Sequence, residues 1–569
     1  MQLKDTFKRY TLDQDKAVSP DITCLQVENR LKRVNLKILQ RIERIDKGRL
    51  DIPVFFSFYG EDGQKITGKK TQMGKGATPE QAKASALMEL VERYSYFSFK
   101  QNQKRFKVTT HEYIVNPIPL ELIAKSVHDE ENLNKASLFL KQIPFRWAKA
   151  YNLTRDEEMW VPFDWFVAIN EFNGTAAGNT LEEAIIQGLC EVIERHVCAV
   201  IAQEQRVTPD IDPSSVQDEI AQMLLQKFTR AGIKVYLKDF TCDMGIPTVG
   251  VLAYDPATFP RSEIVFTAGT QTSPVKSLIR ALTETAQLAG DFLETPGYVA
   301  SGLPKPQTLK DVSYVVQQEK TVSIKDLPDI SHENIRMEIE RAVDALEARG
   351  YEVLILDLTH DSLDIPVVYV LVPGARFWQR AKGTSLPLFL SRVIIELYPP
   401  KQLLGALQSL ATVFPEHYAV HFYQGMAYLN QRQFNAATTA FERALNFQPH
   451  PEDAAIILSY LGYSWKEIGE YEKAVECLQR SLEYCSENKE VYNLLGRCYY
   501  YLSKYEDALE AFHRAITLDP SSAIDYANIA VNLEKLGKKE EAVFFYEKAL
   551  KLDSSLGFAR VNLERLKEE

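Results

Sequence analysis

The sequence predicts an α+β domain of internally duplicated helix and β-hairpin units, followed by an all-α solenoid. Three observations lead there. Gly76-Ala77-Thr78, Ala82, Glu89, Glu92 and Arg93 recur 102 residues later as Gly178-Asn179-Thr180, Ala184, Glu191, Glu194 and Arg195. The stretch from Gly232 to Asp239 has a counterpart from Gly350 to Asp357. Beyond about residue 405, small and aromatic residues return with a period near 34.

Each Glu-x-x-Glu-Arg string follows a glycine turn, a Thr suited to cap a helix and an acidic or Pro-containing first turn, so each reads as a loop feeding an amphipathic helix. Glutamates at i and i+3 share a helix face, and Ser85 lies four residues before Glu89 on the same face. If the two helices meet, four carboxylates repel unless cations neutralise them. Carboxylate oxygens suit Mg2+, usually shared with nucleotide phosphates. A single such string is commonly a solvated helix face. Two copies with glycine and alanine in step favour a functional reading. A third segment, after Gly269 and Pro274, places Arg280, Glu284 and Gln287 at i, i+4 and i+7. Alone it is an ordinary Arg–Glu helix pair; beside the others, its guanidinium offers a planar clamp for phosphate.

These residues resemble a known family. Gly74-Lys75-Gly76-Ala77-Thr78 leading into Ser85–Arg93 looks like the first nucleotide motif of the YcaO family. Asn173–Thr180 with Glu183-Ala184, Gly188-Leu189, Glu191 and Glu194-Arg195 looks like the second, and Arg280–Glu284 with Gln287 is similar to the third. The resemblance covers roughly residues 25–400, within a catalytic domain expected at 1–404. It implies an enzyme that uses ATP and Mg2+ to activate a peptide backbone amide: the amide oxygen takes the γ-phosphoryl group, and a nucleophile then displaces phosphate. A neighbouring Cys, Ser or Thr gives an azoline, sulfide a thioamide and an amine an amidine. Phosphoryl transfer asks for charge neutralisation and alignment rather than a protein nucleophile, and no catalytic residue is assigned.

Carried over by position, the resemblance implies that Glu89, Glu92, Glu191 and Glu194 hold Mg2+. Ser85, Asn179, Arg195 and Arg280 match nucleotide-contacting positions, while Glu183 and Glu284 contact the nucleotide or complete the metal shell. Lys75 either reaches a phosphate or is a solvated turn lysine; Walker-type spacing is absent. Azoline-forming members often end in a Pro-x-Pro-x-Pro tail. Here the corresponding region reads Pro387-Leu388-Phe389 and Pro399-Pro400-Lys401, and the chain continues. That departure favours thioamide chemistry or another nucleophile, with a sulfur-supplying or TfuA-like accessory protein. A homodimer is also implied. Two other functions compete: an accessory factor to a sulfur-inserting enzyme such as a ribosomal-protein methylthiotransferase, and a non-catalytic repeat adaptor.

In the second duplication, amphipathic helices around Val216–Arg230 and Ile335–Arg349 lead to strands, polar turns and returning β-branched runs, Thr248–Ala253 and Val367–Val372. Asp51–Tyr59 forms a partial third copy. Asp239, Asp243, Asp357 and Asp361 are expected to cap their own turns rather than bind metal, and His196 and His360 to be packed or solvated. Cys190 and Cys198 read as packing residues.

From 405 to 569, Gly425, Gly462, Gly496 and Ala530 mark one consensus position, spaced 37, 34 and 34, with Tyr428, Trp465, Tyr499 and Leu533 three residues on. Ala437, Ala474, Ala508 and Ala542 mark another. This resembles about four tetratricopeptide repeats with a capping helix, the spacing of 37 implying an insertion in the loop near His450–Asp453. The stripes are packing residues, and the groove is expected to recruit peptide substrate or a protein partner.

Bulk composition agrees. A chain of 569 residues predicts several domains, and 45% hydrophobic with 25% charged residues is ordinary globular composition. A net charge of -11 argues against a general nucleic-acid binder. Seven cysteines without paired spacing, no apolar signal core and no long apolar run predict a cytoplasmic protein with no membrane segment.

Overall fold

The computed structural model describes residues 2–293, 302–378 and 384–568. It divides into two compact units, Met1–Thr384 and Ser385–Glu569. Among the described residues the first unit contains three sheets. One is antiparallel throughout: Leu39–Arg44, Val54–Tyr59 and Thr71–Lys75. A second runs in the order Val265–Thr270, Thr248–Tyr254, Lys234–Asp239, Asp210–Ile211 and Thr321–Val322, with only the last pair parallel. The third has the order Lys107–Thr109, Phe145–Asn152, Leu354–Asp357, Val367–Leu371 and Thr175–Ala177, and Glu157–Pro162 also pairs with Phe145–Asn152.

An edge strand of each sheet feeds a long helix. Thr71–Lys75 leads to Pro79–Gln101, Thr175–Ala177 to Leu181–Glu204, and Val265–Thr270 to Pro274–Ala289. These three motif helices carry the repeated strings. Apolar side chains on the other face of the third account for its burial: Leu224 and Phe228 of helix Glu219–Arg230 join its Leu278 and Leu282 and Val249 and Val251 of the second sheet in one cluster. Burying a side chain of this size stabilises by about 1.5–3 kcal/mol.

The second duplication has the expected form, since Lys234–Asp239 pairs with Thr248–Tyr254 and Leu354–Asp357 with Val367–Leu371. Asp239 and Asp357 accept from the N–H two residues on, Thr241 and Thr359, each at 2.9 Å. The second Asp of each turn differs from expectation. Asp361 pairs with Arg105, and at Asp243 it is the backbone carbonyl that takes the Arg349 guanidinium.

The N-terminal segment returns across the first unit. Lys8 N donates to Glu333 O, Ile335 N to Thr6 O, and Lys8 Nζ lies 2.5 Å from Glu338 Oε1. No helix among the described residues is long and apolar enough to cross a membrane.

The second unit is helical. Four antiparallel pairs run Tyr418–Asn430 with Phe434–Asn446, Pro451–Ile468 with Tyr471–Tyr484, Lys489–Tyr501 with Tyr505–Leu518, and Ala523–Lys535 with Lys539–Leu552, closed by Gly557–Glu568. Helices Leu386–Leu397 and Pro400–Val413, opened by Pro387 and Pro400 in their first turns, pack onto the first pair. The extra residues of the 37-residue spacing lengthen a helix rather than a loop: Pro451–Ile468 has 18 residues where its counterparts have 13. Pro451 can begin that helix because a first-turn N–H needs no intrahelical partner.

The small consensus residue lets paired helices touch. A Cβ on Gly496 would lie 2.7 Å from the Phe512 ring, and one on Gly425 would lie 2.4 Å from Phe441. Gly496→Val is therefore expected to destabilise the helical unit by about 2 kcal/mol. An earlier helical-unit transition in a calorimetric melt of the full chain checks this.

Candidate functional site

Three ridges of side chains at i, i+4 spacing face one cavity of about 660 Å3 in the first unit. The first motif helix presents Gln81, Ser85, Glu89 and Arg93, with Glu92 beside them; the second presents Glu183, Gln187, Glu191 and Arg195; the third presents Arg280, Glu284 and Leu288. Thr78 and Thr180 start two of these helices, their hydroxyls accepting from Gln81 N and Glu183 N, each at 3.2 Å.

The matched Gly and Ala offsets have a packing cause. A Cβ on Gly76 would sit 2.7 Å from Ala82 N, and one on Gly178 would sit 2.4 Å from Ala184 N. The incoming loop lies against its own helix at that point, so the offset fixes where the ridge begins.

Nine of the ten residues singled out from sequence line the cavity: Ser85, Glu89, Glu92, Asn179, Glu183, Glu191, Arg195, Arg280 and Glu284. Glu194 lies behind them, 2% exposed. Its Oε2 accepts from Thr270 N and from Arg280 Nε, both at 3.1 Å, and its Oε1 is 3.7 Å from Arg195 Nη1. Burial works against its charge, but Arg280, Arg195 and Lys75 together hold its carboxyl below the usual range. Glu194 thus anchors the two arginines that face the cavity.

The other acids are crowded. Arg93 lies 3.6 Å from Glu89 and 3.3 Å from Glu92, and the Thr175 hydroxyl donates to Glu92 at 2.6 Å. Burial, reinforced by Glu89 and Glu191, outweighs Arg93 and pushes Glu92 up to about 8. Burial likewise raises Glu191 despite Arg195, Arg93 and Arg280. Lys75 is ion-paired with Glu284 and largely buried, so the solvated-turn reading fails. Burial, followed by the Arg280 charge, lowers it to about 7.

Residues before the first motif complete the wall, and sequence reasoning missed them. Lys16 lines the cavity with Nζ 3.5 Å from Glu183 Oε1, and Thr23 Oγ1 donates to Asn179 Oδ1 at 3.0 Å. Glu183 also accepts from Ala17 N at 3.0 Å and Asn179 Nδ2 at 2.9 Å. Asp13, 1% exposed, accepts from Ala77 N at 3.0 Å. The available signal was the charged run Asp13–Lys16 ahead of Ser19-Pro20. It has no periodicity to mark it.

Among the described residues no three acidic, His or Cys side chains converge closely enough to hold a metal ion by themselves. The donor set still fits a divalent ion carried by phosphates, because Mg2+ is usually bound through one or two carboxylates plus phosphate oxygens and water. Glu89, Glu92 and Glu191 offer the carboxylates, and Lys16, Lys75, Arg195 and Arg280 offer cations for the phosphates.

His196, on the second motif helix, is a packed residue as expected: Nδ1 accepts from Arg376 N at 3.0 Å, and the ring meets Tyr351 edge-on. Burial, aided by Arg376, lowers it to about 4. An unfolded His titrates near 6.5. As pH falls below that value the unfolded chain takes up the proton first, so stability present at neutral pH is lost progressively toward pH 4, by up to about 3 kcal/mol. The denaturation midpoint of the first unit should drop between neutral pH and pH about 5, and less so in His196→Phe. Arg280→Met, which strips Glu194 of its nearest cation, should cost about 3 kcal/mol in a denaturant titration at neutral pH.

A family model described as YcaO cyclodehydratase, ATP- and Mg2+-binding, matches residues 73–376, and tetratricopeptide models match 490–522 and 526–556. An uncharacterised protein of Methanothermobacter thermautotrophicus is 30% identical over 394 residues, covering 63% of this chain and 94% of its own length. An uncharacterised protein from the tfuA 3′ region of Rhizobium leguminosarum bv. trifolii is 25% identical over 386 residues, covering 63% and 88%. Among solved structures, YcaO from Methanopyrus kandleri bound with AMPPCP and Mg2+ superposes with a TM-score of 0.51 at 23% identity, over 67% of this chain and 97% of that one. A heterocyclase in complex with substrate and cofactor gives 0.55 at 24%, over 70% of this chain and 56% of that one. Both structures share the fold.

Proposed function

The chain belongs to the YcaO family of ATP- and Mg2+-binding cyclodehydratases, and from that membership we propose that it activates a backbone amide of a peptide or protein by phosphorylation. The observation that carries the reading is the facing of carboxylates and guanidinium groups from three helices across one cavity. Bound Mg2+ supplies charge neutralisation between the phosphates. The chain's own residues do the rest. Glu89, Glu92 and Glu191 would hold the metal, and Arg195 and Arg280, fixed by Glu194, would clamp phosphate oxygens. Ser85 and Asn179 orient the nucleotide. Glu183 acts through Asn179 and Lys16, and Glu284 keeps Lys75 in place. Burial excludes bulk water and strengthens each charge interaction.

The amide oxygen attacks the γ-phosphorus, the bond to the bridging oxygen breaks, and ADP leaves. The carbon that bears the O-phosphate then accepts a nucleophile, its bond to that oxygen breaks, and phosphate leaves. Sulfide is the proposed nucleophile and a thioamide the proposed product, in a cytoplasmic setting with a TfuA-like protein as sulfur-side partner. Two observations support this branch. A relative is named for its position beside tfuA, and Pro387 and Pro400 begin helices here instead of forming a proline tail. The repeats recruit the substrate or partner.

Glu191→Ala should reduce peptide-dependent phosphate release by about 100-fold, and removal of Mg2+ with a chelator should abolish it in the unaltered protein. Mass spectrometry of the peptide product reads the branch: thioamidation exchanges oxygen for sulfur, whereas azoline formation loses water. Retained phosphate release in the chelated enzyme would refute the metal-dependent reading.

A further inference from the structure

Two stretches of this acidic chain contain cations and no acids. Residues 64–75 carry Lys65, Lys69, Lys70 and Lys75, and residues 100–107 carry Lys100, Lys104, Arg105 and Lys107. The fold brings the two together. Gln101 Nε2 donates to Ile66 O at 3.0 Å, joining the end of the first motif helix to helix Glu61–Thr67. Between them runs an open groove lined by Lys65, Phe97, Lys100, Gln101, Gln103 and Arg146. Phe97 also lines the nucleotide cavity, so the groove and the cavity share a wall.

Of the three cations that line the groove, Arg146 is paired and Lys65 and Lys100 are not. Lys65 and Lys100, with Lys69, Lys70 and Lys104 next to them in sequence, make no ion pair among the described residues, and all but Lys100 are exposed. The acids at hand are already engaged. Asp164 holds the Arg146 guanidinium at 3.0 Å, Asp361 pairs with Arg105, Glu61 lies 3.1 Å from Lys37 Nζ, and Asp62 accepts from Lys37 N at 2.7 Å. Unpaired lysines clustered in a protein of net charge -11 self-repel unless an anion meets them.

A second, independent feature says what kind of anion fits. The strand Thr71–Lys75 is the outermost of its sheet, hydrogen-bonded on one side only, and Thr71, Gln72 and Met73 line the cavity. An open strand edge is a template for an extended polypeptide, which gains backbone hydrogen bonds by adding to it. A compact anion would not use that edge.

We propose that the basic groove, which adjoins the cavity at Phe97, seats an extended acidic stretch of polypeptide, whose neighbouring amide reaches the phosphates along the outer edge of Thr71–Lys75. The proposal rests on the amide-activation reading for the statement that the polypeptide is substrate; the groove's preference for acidic chain stands on the lysines alone. Specificity here is electrostatic, so it weakens with salt.

The test is fluorescence anisotropy on the full-length protein with three labelled peptides of equal length, one rich in Glu and Asp, one neutral and one rich in Lys, and with a single-stranded oligonucleotide as a fourth probe. The acidic peptide should bind at least about tenfold more tightly than the neutral one, and Lys65→Glu with Lys100→Glu should remove that advantage. A control pair elsewhere in the first unit, the exposed Lys310→Glu with Lys320→Glu, which line neither the groove nor the cavity, should leave it intact. Mg-ATP affinity by calorimetry reports whether the groove variant is folded and is expected to be unchanged. Equal binding of the three peptides, an acidic preference that survives the groove variant, or tighter binding of the oligonucleotide through the same lysines would each overturn the proposal. Failure of Mg-ATP to bind the unaltered protein would instead strike the amide-activation reading, so the two failures are separable.

Discussion

Carboxylates and guanidinium groups packed side by side away from water govern this molecule. No single ion pair in the cavity is stable in isolation at such burial, because desolvating two charges costs several kcal/mol per ion unless further partners compensate. The structure compensates by sharing. Glu194 binds Arg280, a backbone N–H and Arg195 together, and Glu183 is met by Lys16, Ala17 N and Asn179. Glu92 and Glu191 lie at the opposite extreme, pushed toward the protonated state by burial. A site arranged in this way gains most from a ligand that brings both a cation for the acids and anions for the bases.

The three helices were legible because the requirement for a shared face imposes a period. Ser85, Glu89 and Arg93, or Glu183, Glu191 and Arg195, must recur at multiples of four to line one wall, and that leaves a visible trace in sequence. The Gly and Ala offsets were visible too, although their cause is contact between loop and helix backbone rather than ligand binding. The hairpin duplication and the 34-residue beat were readable for the same reason, since each recurrence satisfies the same packing demand.

Other features left no such trace. Asp13 and Lys16 reach the site from an irregular segment and Thr23 from the helix that follows, Pro20–Arg33, and their partners, Ala77, Glu183 and Asn179, all lie far along the chain. Position along a helix does not tell whether Glu194 faces the cavity or the layer behind it; the neighbouring Thr270 strand decides that. Lys75 sits in a glycine-flanked stretch that suggests exposure, yet the third motif helix closes over it and supplies Glu284. The extra residues near Pro451 were absorbed into a helix because nothing opposed an additional N-terminal turn.

The N-terminal segment ties the start of the first unit to the beginning of helix Ile335–Glu347. Thr6 N donates to Asn334 Oδ1 across 328 positions, and Lys8 meets Glu338. During synthesis, therefore, the opening residues leave the ribosome long before the partners that seat them exist. Thr6 and Lys8 find their final places only once the nascent chain has grown past residue 338, and every motif helix has emerged by then. Closure over such a distance is slow compared with local pairing. The outermost turn of the N-terminal segment is accordingly among the last parts of its unit to be seated, after the helices it crosses.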